Sequence, residues 1–225
     1  MHEKVKLTKR QIKRDNFTAF MLNSKQQLEE NWQYFAIGAV VIILAVVGIV
    51  YYMNSQKDKA QLGAIQLAQA TMQYRQGNSQ VAILTLADIL TKYSGTGYAE
   101  QATFMLGRVN LETRNYEEAK LYFEQYLEQY KDNALNRAAA MAGLGVTYEN
   151  QGKYPEAAEM FAKAAADYPE SAILPDLHFG AMRNFLLAGQ KEKAKEQFDI
   201  INTKFPGTEM AVSAARLFYE KSQNS

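Results

Sequence analysis

Between Tyr34 and Met53 the chain reads YFAIGAVVIILAVVGIVYYM, 20 residues with no charge and no proline. A helix rises about 1.5 Å per residue, so this run reaches roughly 30 Å, the thickness of a bilayer's hydrocarbon core. Trp32, Tyr34 and Phe35 stand at one end and Tyr51 and Tyr52 at the other, where amphipathic rings favour the membrane–water interface. The pattern predicts a membrane-spanning helix over 34–53. The alternative, a buried core helix, is disfavoured by so long and so uniformly apolar a run.

Beyond the span the apolar positions become periodic. Four segments superimpose: GNSQVAILTLADIL from Gly77, RNYEEAKLYFEQYL from Arg114, GKYPEAAEMFAKAA from Gly152 and GQKEKAKEQFDIIN from Gly189. Ala82, Ala119, Ala157 and Ala194 fall in register, 37, 38 and 37 residues apart. Leu86, Phe123, Phe161 and Phe198 follow four residues later, and Ile89, Tyr126, Ala164 and Ile201 three after that. Steps of four and three lie on one helical face, so each segment is an amphipathic helix with a small residue where something packs closely.

Each segment follows a partner helix, most plainly in NRAAAMAGLGVTYENQGKYPEAAEMFAKAAADYPES. There Leu144, Gly145, Tyr148, Gly152, Tyr154, Ala157, Phe161, Ala164 and Pro169 stand at the spacing of a tetratricopeptide repeat, a helix A–turn–helix B unit. The second repeat keeps Leu106, Gly107, Tyr116, Ala119 and Phe123; the fourth keeps Phe185, Gly189, Ala194, Phe198 and Pro206; the first keeps Ala70, Gly77, Ala82 and Leu86. The resemblance covers about residues 60–207. Its period exceeds the usual 34 or so and looks like the longer-helix repeats of bacterial envelope proteins. Gly145 and Ala157 let helices A and B approach, Tyr148 and Phe161 fill the space between repeats, Gly152 turns the chain, and Pro169 ends helix B. Mid-helix Gly107 and Gly145 each cost about 1 kcal/mol against alanine, so close packing is their reason, and Gly145→Leu should destabilise. EMAVSAARLFYEKSQ, residues 209–223, is a final amphipathic helix that caps the array. The expected fold is all-α: one transmembrane helix, then a right-handed tetratricopeptide-type solenoid of about four helix pairs with a C-terminal capping helix. Its divisions are a cytoplasmic tail at 1–33, the span at 34–53 and the repeat domain at 54–225.

Charge sets the direction. Lys4, Lys6, Lys9, Arg10, Lys13, Arg14 and Lys25 precede the span, and only Lys57, Lys59 and Arg75 follow it closely. The positive-inside rule therefore places the N-terminus in the cytoplasm and residues from about 54 onward outside it. The overall charge of +1 conceals a split: residues 1–32 carry 7 Lys+Arg and 4 Asp+Glu, and the remainder is slightly acidic. A basic tail suits anionic lipid, and an almost neutral distal domain excludes nucleic-acid binding. No small-x-small cleavage site follows Met53, so the segment is expected to remain as an anchor. The chain has no cysteine, which excludes a lipidated cysteine anchor and disulfides.

In the tail, Phe17, Phe20, Met21 and Leu28 lie at helical spacing and Thr8 with Gln11 suits a capping box. The tail is either an amphipathic helix on lipid or on a partner, or a simple topogenic segment. After the span, NSQKDKAQLGAIQLAQATMQYRQG has no proline and one glycine before Gly77, so a single helix can run from the membrane into the first repeat.

No catalytic constellation emerges. The two histidines are His2 and His178. With no cysteine and no histidine cluster, neither a zinc site nor another cofactor is expected. His178 near Asp176 could be read as half of a catalytic pair but reads as an ordinary solenoid residue, and Gly95 with Gly97 lacks the lysine and helix entry of a phosphate loop. A solenoid offers instead a concave groove. The register assigns to it Thr71, Tyr74 and Arg75; Phe104, Arg108, Leu111 and Glu112; Val146, Glu149 and Asn150; and Phe179, Arg183 and Leu186. This mixture of apolar and charged groups suits an extended peptide or a partner helix, though several of these side chains could equally pack against the next repeat.

EENW before the span, GIVYYMNSQ leaving it and the alanine-rich KAQLGAIQLAQATMQ that follows resemble the YfgM-like family of bacterial inner-membrane tetratricopeptide proteins. The resemblance implies a single-pass inner-membrane anchor, a periplasmic repeat domain, and association with the SecYEG translocon, periplasmic chaperones and newly exported proteins. The long, basic tail departs from the shorter one expected of that family. A structural scaffold within one stable envelope complex is the competing expectation.

Overall fold

The 37–38-residue register reappears as pairs of helices of nearly constant length. The computed structural model of the chain describes Phe20, Met21 and residues 31–223. Phe20 and Met21 are helical and exposed; the rest of the expected tail helix, including Phe17, Leu28 and the Thr8–Gln11 box, lies outside the described residues. The chain divides into two units, residues 1–58 and 59–225.

In the first unit, helix α1 begins at Trp32; its full extent is Trp32–Arg75. Every side chain from Trp32 to Asn54 is exposed. It is the one helix among the described residues long and apolar enough to cross a membrane.

The second unit begins with the last turns of α1 and continues through α2 (Ser79–Lys92), α3 (Gly97–Glu112), α4 (Tyr116–Gln129), α5 (Ala134–Asn150), α6 (Tyr154–Asp167), α7 (Leu174–Leu187), α8 (Lys191–Lys204) and α9 (Glu209–Gln223). The end of α1 pairs with α2, then α3 with α4, α5 with α6 and α7 with α8. The A-to-B turns share one device. Gly77, Gly152 and Gly189 adopt φ of 81°, 73° and 73°, and the next residue's N–H reaches back to a carbonyl five positions earlier, as in Asn78 to Gln73 at 2.9 Å and Lys153 to Tyr148 at 2.9 Å. These are Schellman closures, which favour glycine in the left-handed region. The second repeat makes the same closure, Asn115 to Asn110 at 2.8 Å, with Arg114 at φ 64°. At the B-to-A turns, Thr96, Asn133 and Thr208 accept N-cap bonds from Ala99, Asn136 and Ala211.

All twelve register positions are buried: the four alanines, the Leu86–Phe123–Phe161–Phe198 row and the Ile89–Tyr126–Ala164–Ile201 row. What the aromatic row packs against is specific. A Cβ on Gly107 would lie 2.7 Å from the Phe123 ring, and one on Gly143, in the next repeat, would overlap it. A Cβ on Gly145 or Gly180 would lie 2.8 Å from the Phe161 ring. Each phenylalanine therefore occupies a slot between a glycine of its own repeat and a glycine of the following one. Gly143 and Gly180 were not among the expected packing positions. The fourth repeat solves the same problem differently: Met182 takes the first glycine's place, and Phe198 stacks on Phe218 of α9 at 4.7 Å and 3°. The expected cap thus packs its apolar face on the last repeat.

Arg137, near the start of α5, ties the layers together. Its Nη1 donates to the Leu127 and Tyr130 carbonyls at 2.7 Å each, and its Nε to the Tyr168 hydroxyl at 2.7 Å. It thereby satisfies carbonyls at the end of α4 that no helical turn can reach.

Candidate functional site

Successive A helices touch one another, α3 with α5, α5 with α7 and α7 with α9, whereas α4, α6 and α8 make no such mutual contacts among the described residues. Closer spacing on the A side makes that side the inner one of the stack. Several of the expected groove residues on these A helices come together in two groups.

The first group joins repeats one and two. The Tyr74 hydroxyl donates to the Glu112 carboxylate, and Arg108 lies 3.9 Å from the same carboxylate. Burial, and then the hydrogen bond to Glu112, raise the Tyr74 pKa. Thr71 turns inward, to the Leu67 carbonyl at 2.8 Å and the Met105 sulfur at 3.7 Å. Phe104 meets Phe123 and Tyr126 edge-on, with ring centroids 6.1 and 5.5 Å apart; half of it belongs to the core. Its remaining surface joins Arg108, Leu111, Leu135, Asn136, Ala139 and Gly143 around a cavity of about 410 Å³ between α3 and α5.

The second group joins repeats three and four. Arg183 donates to Glu149 at 2.6 Å, and the buried Asn184 amide donates to the same carboxylate oxygen at 3.1 Å. The Arg183 guanidinium lies 5.8 Å from the Phe179 ring centroid, within cation–π range. Arg183 Nε and Asn184 Oδ1 are buried and find no partner among the described residues. Val146 and Leu186 are half-buried and pack against the core of the last two repeats. Arg75 is exposed and joins neither group, and Asn150 bonds back to the Val146 carbonyl at 2.9 Å.

Sequence reasoning missed one wall of the α3–α5 cavity, formed by Leu135, Asn136, Ala139 and Gly143. These residues lie early in helix A of the third repeat, whereas the register selected late helix A positions there. Asn184 was missed too; its only sequence signal is a side-chain amide where the other repeats carry Met72, Val109 and Thr147. His178 is buried and bonds through Nδ1 to Gln197 Oε1 at 2.8 Å, and burial pushes its pKa below the ordinary value. Asp176 is exposed and no hydrogen bond or ion pair links it to His178. No group of three or more metal-ligating side chains occurs among the described residues. The site's chemistry is hydrogen bonding, ion pairing and apolar contact.

No curated protein matches the chain. Among solved structures, a tetratricopeptide repeat protein from Parabacteroides merdae ATCC 43184 superposes with a TM-score of 0.62 at 13% identity; the match covers 73% of this chain and 61% of that one. YrrB, a TPR protein with an unusual peptide-binding site, gives 0.52 at 19% identity over 71% and 77% of the two chains. TPR-like repeats of a Podosopora anserina kinesin light chain give 0.59 at 17% identity over 71% and 84%. At these identities the likeness is one of fold. The model of the tetratricopeptide repeat-like domain family matches residues 25–172, well over half of the sequence, with the register glycines and aromatics of the second and third repeats inside it, and the chain belongs to that family.

Proposed function

We propose that this chain is a membrane-anchored protein-binding module that holds a protein segment along the A-helix face of its repeats. The observation that carries this is the α3–α5 cavity. It combines apolar Phe104, Leu111 and Leu135 with a charged Arg108 and an Asn136 amide, the composition that seats an apolar side chain and orients the chain bearing it. The partly exposed Glu149–Arg183 pair on α5 and α7 offers a second anchoring point. YrrB is described as having an unusual peptide-binding site; the shared fold makes the same use of a repeat face reasonable here. Binding rather than catalysis is the reading, because the described side chains offer no nucleophile–base pair.

The uncharged helix beginning near Trp32 serves as the anchor, with the repeats on the non-cytoplasmic side by the charge asymmetry. Resemblance to the YfgM-like family suggests the inner membrane, a periplasmic repeat domain, and the translocon, its chaperones or newly exported chains as partners. A photo-crosslinker at Arg108 or Leu135, in the full chain in its native membrane, should capture protein, whereas one at Leu121 on α4 should not. Equal capture at all three positions would refute the groove. A changing set of exported chains supports the translocon reading; one stoichiometric partner supports a scaffold in a stable complex instead.

A further inference from the structure

Two arginines hold the same place in the repeat, and only one of them has a carboxylate to itself. Arg183 on α7 donates to Glu149 at 2.6 Å, and Glu149 stands 34 residues before it. Arg108 on α3 occupies the same register position two repeats earlier. The residue 34 before Arg108 is Tyr74, an uncharged phenol whose hydroxyl is given to Glu112. Glu112 itself lies 3.9 Å from Arg108, outside hydrogen-bond range. Arg108 is 53% exposed, and its guanidinium reaches no acceptor among the described residues.

The same guanidinium lines the α3–α5 cavity and is the one charged group in its lining. Ala139 and Gly143 leave room on the α5 side. The equivalent positions in α3 carry Gln101 and Met105, and Met105 meets Thr71 of α1 at 3.7 Å. The volume of about 410 Å³ stands near the lower end of ligand pockets, space for one large side chain between Phe104 and the half-exposed Leu135.

Resting on the protein-binding reading above, we infer that this cavity selects an acidic segment. It seats a leucine or aromatic side chain of the bound chain, and Arg108 takes the carboxylate of an aspartate or glutamate close by in the same segment. Charge complementarity carries the choice. A guanidinium without an acceptor favours a carboxylate over an amide, because charge-assisted bidentate bonds are the stronger ones. A lysine or arginine on the partner would instead set like charges together. Glu112 is not part of the cavity lining and accepts from Tyr74, so it does not stand where the arriving carboxylate would. Glu149 and Arg183 already neutralise each other and impose no sign on the partner.

A display library of short random peptides, fused through their C-termini, can be selected on the full chain in phosphatidylcholine nanodiscs. Recovered peptides should pair a leucine or aromatic residue with a nearby aspartate or glutamate. Selection on Arg108→Glu should replace those acids with lysine or arginine. For one recovered peptide, fluorescence anisotropy should show binding weakened about three- to tenfold by Arg108→Gln. Ala139→Leu, which fills the cavity, should weaken it as well, and Arg216→Gln, which removes an exposed cation on α9, should not. Circular dichroism of Arg108→Gln should match the parent, since the side chain is exposed and its ion pair loose. Peptides without an acidic bias, or an affinity untouched by Arg108→Gln, would overturn the inference. So would an equal loss in Arg216→Gln, which would reduce the preference to overall charge, and so would a library that yields no binder. The protein-binding reading fails separately, when crosslinking at Arg108 and Leu135 is no better than at Leu121.

Discussion

Gly145→Ala tests the slot that holds the repeats in register. The new methyl would lie 2.8 Å from Phe161 Cδ2 and Cε2, whereas contacting carbons prefer about 3.5–4.0 Å. The ring would have to retreat by roughly 0.7–1.2 Å, and the other side of the slot is closed: a Cβ on Gly180 would already meet Cδ1 at 2.8 Å and Cε1 at 2.9 Å. Overpacking of this kind costs about 1–3 kcal/mol, and alanine returns up to about 1 kcal/mol of helix propensity. The expected net loss is up to about 2 kcal/mol, a fall in Tm of up to roughly 8 °C for a chain of this size, larger for Gly145→Leu. Thermal unfolding of the full chain in detergent, followed by far-ultraviolet circular dichroism, measures it. Gly97→Ala, at the first residue of α3 with no atom within 4 Å of its Cβ position, is the control and should leave Tm unchanged or raise it. Repeat one shows the compensating pair, Ala70 with Leu86 in these two places, so Gly145→Ala combined with Phe161→Leu should lose less than the two single losses added. A Tm above the parent's for Gly145→Ala would refute the slot.

Arg114 takes the left-handed conformation that its equivalents give to glycine. The strain of about 1–2 kcal/mol exceeds glycine's added unfolded-state entropy of roughly 0.5–1 kcal/mol, so Arg114→Gly should raise Tm slightly, and a lowered Tm would contradict this. Arg137→Ala strands the Leu127 and Tyr130 carbonyls and should cost about 2–3 kcal/mol by urea denaturation. Arg137→Lys should recover only part, because an ammonium lacks the planar fork; full recovery would mean that charge alone matters. Burial, with Lys204 acting in the same direction, holds the folded pKa of His178 below the ordinary histidine value of about 6.5. The unfolded chain then binds the proton more readily, and stability should fall as pH drops from about 6.5 through the lower folded pKa. Urea midpoints at about pH 7.5 and about pH 5.5 measure this, and an equal acid-induced loss in His178→Asn would dismiss it.

The paired ion and amide groups on the A-helix face differ in character. Tyr74, Arg108 and Glu112 meet near the surface, where water screens their mutual attraction and leaves little net stability. Glu149 and Arg183 are half-buried and share the carboxylate with a buried amide, a setting in which loss of one partner leaves the others poorly satisfied. The second group therefore contributes to both the stacking of α5 on α7 and the shape of the face.

The periodicity of alanine, aromatic and aliphatic positions was sufficient to locate every repeat, its buried rows, its A-to-B turns and the final helix, because a helix spaced by fours and threes can bury one stripe and each repeat must bury the same one. Arg114 could be placed in a glycine's position from register alone. The uncharged run could be read as a membrane-crossing helix by length and composition. The following repeat's contribution could not be read. Gly143 lies 20 residues beyond Phe123, and Gly180 lies 19 beyond Phe161; neither falls on the face that the repeat pattern marks as buried. The same is true of Leu135, Asn136 and Ala139 around the cavity, and of Arg137 spanning two helix ends and Tyr168. Local periodicity decides which side of a helix avoids water. Which residues meet across repeats depends on the angle and offset at which one helix pair lies on the next, and that was decided only when the glycine slots closed around Phe123 and Phe161.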